Sequence, residues 1–175
     1  MDQWYIEFTA RLWLKGIVMQ GNRLLELSNY ESSMYFDFMN TDKDKLKNLH
    51  DFTKVEEHFF VIAVGKAMDW LREFQDNDHR QENIQEFLDA IPHARNIRNM
   101  REHDDAYLKG EGRKQNLFHH EFELHEGKFT GSADATSTIV INDNYMIGGR
   151  LDVVRTIKAA DKLCQFLAEN ITRPS

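Results

Sequence analysis

The chain has 175 residues, 41% of them hydrophobic, with a formal net charge of −7 and one cysteine. That length and apolar content suit one folded domain with a buried core, and they exclude a disordered tail or a fibrous repeat. The acidic balance argues against a protein that coats nucleic acid by charge alone, and the lone Cys164 excludes an intrachain disulfide.

Met1-Asp2-Gln3-Trp4 lacks the basic-then-apolar pattern of a signal peptide, and no apolar run approaches membrane-spanning length. The expectation is a cytoplasmic protein with no membrane partner. From Trp4 onward, Phe8, Leu12, Val18 or Met19, Leu24, Leu25 and Leu27 recur near helical spacing. The pattern either continues through Met34, Phe36 and Phe38 or breaks near Ser28-Asn29. Asn40-Thr41-Asp42 supplies turn and capping residues, and Lys43 to His50 reads as a charged connector.

The clearest helix is predicted from Asp51, as N-cap, to about Gln75. Its apolar stripe is Phe52, Val55, Phe59, Ile62/Ala63, Ala67, Trp70/Leu71 and Phe74, with Asp76-Asn77-Asp78 as its end. A third helix starts near Gln81 and buries Ile84, Phe87, Leu88 and Ile91. Pro92 then forces a kink or restart, because it lacks a backbone donor and biases Ile91 out of helical geometry. Beyond it the apolar positions change phase to Ile97, Met100, Tyr107 and Leu108. Arg95, Arg98, Asn99, Glu102 and Ala106 fall on the other side, with His103 at the margin.

Gly110-Glu111-Gly112 closes that segment. From 117 to about 150 the pattern changes to period two. His119 to His125 reads as a strand, a Gly/Ser/Asp loop follows, and Thr138–Ile141 with Tyr145–Ile147 reads as a hairpin turned by Asn142-Asp143-Asn144. Gly148-Gly149 ends it. A last helix is predicted over Asp152 to Asn170, burying Val153/Val154, Ile157, Ala160, Leu163/Cys164 and Leu167. The fold expected is mainly α: a four-to-five-helix up-and-down bundle, 1–175 as one domain, with a small antiparallel β insert before the last helix.

Chemistry concentrates in Arg98-Asn99-Met100-Arg101-Glu102-His103. An arginine fork grips phosphate oxygens, an amide orients a partner, and an imidazole moves protons near neutral pH. This string resembles the Arg-Asn-x-x-x-His motif of the HEPN superfamily, helical-bundle domains that include metal-independent endoribonucleases. The resemblance implies Arg98, Asn99 and His103 as catalytic residues, in a composite site where two protomers meet. It implies RNA as substrate, cut to a 2′,3′-cyclic phosphate and a 5′-hydroxyl with no cofactor. It also implies a homodimer in a stress, defence or toxin–antitoxin setting, with a cognate antitoxin as a further partner. Family toxins paired with a nucleotidyltransferase carry tyrosine two residues after the histidine, where this chain has Asp105.

Arg95, Arg101 and Tyr107 are the substrate-binding candidates, and Lys109, Arg113 and Lys114 extend a basic strip. Arg98 and His103 are five residues apart, about 140° around a helix, so one straight helix does not bring their tips together. Two other readings compete with the nuclease. One is a non-catalytic helical module binding a protein or nucleic acid. The other is a solvated helix face with Arg98–Glu102 and Arg101–Asp105 ion pairs. His119, Glu121, Glu123 and His125 invite a zinc reading, but they spread along an extended strand without a completing pair, so no metal is expected.

Overall fold

The computed structural model describes residues 2–37, 42–74, 79–124, 129–141 and 144–170. The described residues form six α-helices and five short strands. These are α1 Gln3–Phe36, α2 Lys43–Leu71, α3 Gln81–Ala90, α4 Ala94–Glu102 and α5 Asp104–Leu108, then β1 His119–Leu124, β2 Phe129–Asp134, β3 Thr138–Ile141, β4 Asn144–Ile147 and β5 Leu151–Asp152, and finally α6 Val153–Glu169. The mainly helical bundle with a β insert before its last helix is as expected. Among the described residues, no helix is long and apolar enough to cross a membrane.

α1 is one helix to Phe36, with no break at Ser28-Asn29; Phe38 lies outside the described residues. Asp2 caps it by accepting from the Trp4 N–H. α2 starts nine residues earlier than the Asp51 cap predicted, with Asp42 as its N-cap. The carboxylate of Asp42 accepts from the Asp44 and Lys45 N–H groups, so the charged stretch from Lys43 to His50 is helical and Asp51 lies inside it. Asn40, Thr41 and Asp76-Asn77-Asp78 lie outside the described residues. α1 and α2 run antiparallel, since Tyr5 meets Trp70, Gln20 meets Glu56 and Glu31 meets His50. α6 packs antiparallel along the other flank of α1, where Ile157 lies against Gly21 and Cys164 against Arg11.

The core matches the predicted stripes in part: Leu24 of α1 and Ala63, Ala67, Leu71 and Phe74 of the second stripe are buried as expected, and the positions before them differ in phase. In α1 the buried residues are Ile6, Ala10, Leu14, Ile17 and Leu24, whereas Trp4, Phe8, Leu12 and Met19 are exposed. In α2 the core takes Phe60, Val61, Ala63, Val64, Ala67, Met68 and Leu71. Phe52, Val55 and Phe59 face outward, 42%, 48% and 54% exposed. Both helices carry apolar residues on two faces, and spacing alone selected the outer one at Trp4, Phe8 and Leu12 and again at Phe52, Val55 and Phe59. The inner face of α2 also buries Thr53, Glu56 and Glu57, polar residues outside the predicted apolar stripe.

Pro92 separates α3 from α4 as its chemistry requires. Ile97, Met100 and Tyr107 point inward, while Leu108 does not. A second break follows at His103, whose backbone leaves helical geometry (φ −130°, ψ 35°) between α4 and α5. The β insert comprises two small antiparallel sheets, β1–β2 and β3–β4–β5. β2, sequence Phe129-Thr130-Gly131-Ser132-Ala133-Asp134, occupies the stretch predicted as a loop and pairs His119 opposite Asp134. The β3–β4 hairpin has the predicted strands; its turn residues Asn142 and Asp143 lie outside the described residues. α6 is capped by the Asp152 carboxylate and buries Cys164 as expected.

Candidate functional site

α4 carries the motif, and its residues divide among three surroundings. Arg98 leans across onto α2. Its Nη1 donates to Asp69 Oδ2 at 2.9 Å and its Nε to Glu102 Oε2 at 3.1 Å. Its alkyl stem lies over Gly65, where a Cβ would overlap the Arg98 Cδ. Arg95 reaches the same aspartate, Nη2 to Oδ1 at 3.4 Å. Asp69 therefore gathers two of the predicted cations at the α2–α4 seam, and Arg98 keeps about a fifth of its side chain exposed.

That clasp makes a prediction of sign. Gly65→Ala gains about 1 kcal/mol in helix propensity but overpacks Arg98 at a cost of ~1–3 kcal/mol. The variant is expected to be less stable in urea unfolding. In an Arg98→Ala background the same Gly65→Ala change is expected to stabilise, because only the propensity gain remains.

Asn99 and His103 open elsewhere, onto a cleft of about 650 Å³ between α4, α5 and the segment leading to β1. Met100, Tyr107, Glu111, Gly112, Arg113 and Lys114 contribute to its walls. Tyr107 forms the floor. Its ring stacks on Phe118 at 5.4 Å, and it lies so close under Gly112 that no Cβ fits there. The Lys114 ammonium donates to Asn96 Oδ1 at 3.2 Å. The exposed His103 imidazole makes no hydrogen bond or ion pair among the described residues. The break between α4 and α5 falls on this residue, so the imidazole stands at a corner of the backbone.

Arg101, predicted with the substrate-binding cations, is turned inward instead. Its side chain is 7% exposed; Nη2 donates to Glu57 Oε2 and to the Thr136 carbonyl, and Nε to the Ala135 carbonyl, each at 2.9 Å. Glu57 of α2 is fully buried, and it also accepts from the Tyr145 hydroxyl at 2.6 Å, the Thr138 hydroxyl at 2.7 Å and the Lys54 ammonium at 3.2 Å. Burial works against ionisation of Glu57. The Arg101 and Lys54 charges and the two hydroxyls outweigh it and hold its carboxyl below the ordinary value. The Tyr145 hydroxyl is pushed upward by burial first and then by the Glu57 charge, so it stays a donor. This cluster ties α2 and α4 to the β insert, and thereby fixes the helix that presents Asn99 and His103.

A signal for the burial of Glu57 is present in the sequence. Glu57 precedes Phe60, Val61 and Val64 by three, four and seven residues, which places it on their face. Arg101 likewise follows Ile97 by four. Of the four residues weighed for zinc, His125 lies outside the described residues. No group of three or more metal-ligating side chains occurs among the rest.

A single protomer thus brings Asn99 and His103 together in one cleft and sets Arg98 around the helix from them, beside α2. No family model, curated protein or solved structure matches this chain.

Proposed function

We propose that this chain is a metal-independent endoribonuclease of the HEPN type, whose site is completed when two copies pair. The observation that carries this reading is the uncommitted His103 imidazole, beside Asn99 in an open cleft flanked by the Arg113 and Lys114 cations. An exposed imidazole free of partners can exchange protons with a bound substrate, and the cations draw a phosphate backbone toward it. In the reaction the ribose 2′-oxygen attacks phosphorus and gives up its proton to an imidazole. The P–O5′ bond breaks, and the 5′-oxygen leaves with a proton. The His103 ring of one copy would accept the 2′-proton, water would protonate the departing 5′-oxygen, and Arg98 of the other copy would hold the crowded phosphate with its planar fork.

Pairing is supported by an apolar surface. Phe52, Val55 and Phe59 are exposed along one stripe of α2, at spacings that lead on to Lys66 and Asp69. Asp69 is the residue that holds Arg98. A copy seated on that stripe would approach Arg98 directly, and contiguous exposed apolar patches of this kind mark association sites.

A second reading, a non-catalytic helical module, is favoured by the two carboxylates already on Arg98. One assay separates them. The purified protein is expected to cut RNA in excess EDTA, leaving cyclic phosphate and 5′-hydroxyl ends, and His103→Ala is expected to retain its circular dichroism spectrum and lose cutting. Cleavage that survives in both Arg98→Ala and His103→Ala overturns the HEPN-type assignment of the site, and an absence of cleavage with a stable bound protein favours the module.

A further inference from the structure

A second group of basic side chains meets at the opposite end of α4, about 15 Å along the helix from His103. His93 is the residue preceding α4, His120 is the second residue of β1, and Arg150 closes the turn between β4 and β5. The two imidazole rings lie 6.4 Å apart between centroids, tilted by 38°. The Arg150 charge acts on both of them.

The position of Arg150 is set by backbone. Gly148 and Gly149 before it adopt φ +60° and +68°, a left-handed pair that side chains resist. The Gly148 N–H donates to the Ser137 carbonyl at 2.8 Å, and a Cβ on Gly149 would lie 3.1 Å from that of Ala133. The turn is seated on the β2 side of the insert, and the charge of the Arg150 that follows it acts on both histidines.

Among the described residues, none of these three side chains makes a hydrogen bond or ion pair. Nε and Nη2 of Arg150 are enclosed without an acceptor. A guanidinium edge removed from water with nothing to bond carries an uncompensated desolvation cost, and an acceptor brought to it would be strongly held. Here the usual compensation, a carboxylate, is missing among the described residues. α4 also begins at this point without a side-chain cap, so its dipole favours negative charge in the same place.

We propose that His93, His120 and Arg150 form a binding site for a phosphate-class oxyanion, separate from the His103 cleft and independent of the nuclease reading. The donors come from three separate elements and together offer more hydrogen-bond donors than a carboxylate with two oxygens can use, which suits an anion with several acceptor oxygens. A cation is disfavoured by Arg150 itself. Burial, and then the Arg150 charge, hold both imidazoles toward their neutral form; a bound anion offsets that charge and favours the protonated form, in which each ring has two donors.

The test is a titration of the whole protein with inorganic phosphate at fixed pH, followed by the imidazole ring signals in NMR, with chloride at matched ionic strength as control. Saturable shifts of His93 and His120, with His103 unmoved, are expected. Arg150→Gln should weaken half-saturation roughly tenfold or more, as loss of a charge-assisted partner does. If that variant fails to fold, His120→Gln at its partly exposed position serves instead, with the same weakening read on His93. A parallel arm uses a 2′-deoxy oligonucleotide, which has no 2′-hydroxyl to attack. Saturation by phosphate alone identifies a free phosphate-class ligand, and saturation by the oligonucleotide alone identifies a nucleic-acid backbone. No saturable shift with either, shifts reproduced by chloride, or shifts unchanged in the variant would overturn the assignment.

Discussion

Glu57→Ala is expected to lower the free energy of unfolding by about 3–5 kcal/mol, the range for removing one partner of a buried ion pair. For a chain of this length that corresponds to a melting point lower by roughly 10 °C. The cost arises because Arg101, at 7% side-chain exposure, would keep its charge with only the Ala135 and Thr136 carbonyls as acceptors. The Tyr145 and Thr138 hydroxyls would lose their acceptor in the same step. Glu57→Gln keeps the shape and one acceptor oxygen, so a smaller loss is expected. Removing the carboxylate together with Arg101 and the Tyr145 hydroxyl, as Glu57→Met, Arg101→Met and Tyr145→Phe, should recover part of the loss, since a buried pair is worth less than its broken half costs. Urea unfolding of the four proteins measures this, and equal losses in Glu57→Ala and the triple variant would refute the network as described.

The same carboxylate predicts an acid limb. Its folded pKa lies below its unfolded value, so its contribution is complete above the ordinary carboxylate range, near 4.3, and is lost as pH falls through the lower folded value. The wild-type stability curve should therefore fall toward low pH more steeply than that of Glu57→Gln. A parallel slope in the two proteins would count against the assignment of Glu57 as the ionised centre.

These residues also mark the boundary of what the sequence made legible. Helix positions bounded by local chemistry were readable: Pro92 had to interrupt α3 and α4, and Gly148-Gly149 had to end the β4 strand. The phase at the start of α1 and over Phe52 to Phe59 of α2 was not, because apolar residues occupy two faces of each helix, and the buried face of α2 includes Thr53, Glu56 and Glu57. Counting hydrophobic residues scores such a face as solvent. Only the tertiary arrival of Arg101, Thr138 and Tyr145 makes it a core face, and that arrival depends on pairing far along the chain. β2 escaped for a related reason. Thr130-Gly131-Ser132 has loop composition, yet Gly131 is needed where the Phe122 ring covers it. At the candidate site, helical geometry separated Arg98 from His103 in advance. It could not show that Asp69 and Gly65 would hold Arg98, or that the backbone would break at His103.

That separation leads to the sharpest test of the nuclease reading. Arg98→Ala and His103→Ala, purified separately, should each lose at least about a hundredfold in RNA cleavage, the scale for removing a charge-stabilising or proton-transferring group. Mixed and allowed to exchange subunits, the two inactive variants should regain roughly a quarter of wild-type activity. In a symmetric pair each site would combine Arg98 of one copy with His103 of the other. Half of the exchanged pairs hold one of each variant, and in those one of the two sites has both side chains intact while the other has neither. If Arg98 and His103 acted within one protomer, no mixed pair could contain an intact site, and the mixture would stay inactive. The outcome turns on the geometry of α4. Arg98 faces Asp69 across α2, His103 faces the cleft with Asn99, and one copy of the chain points these two groups apart.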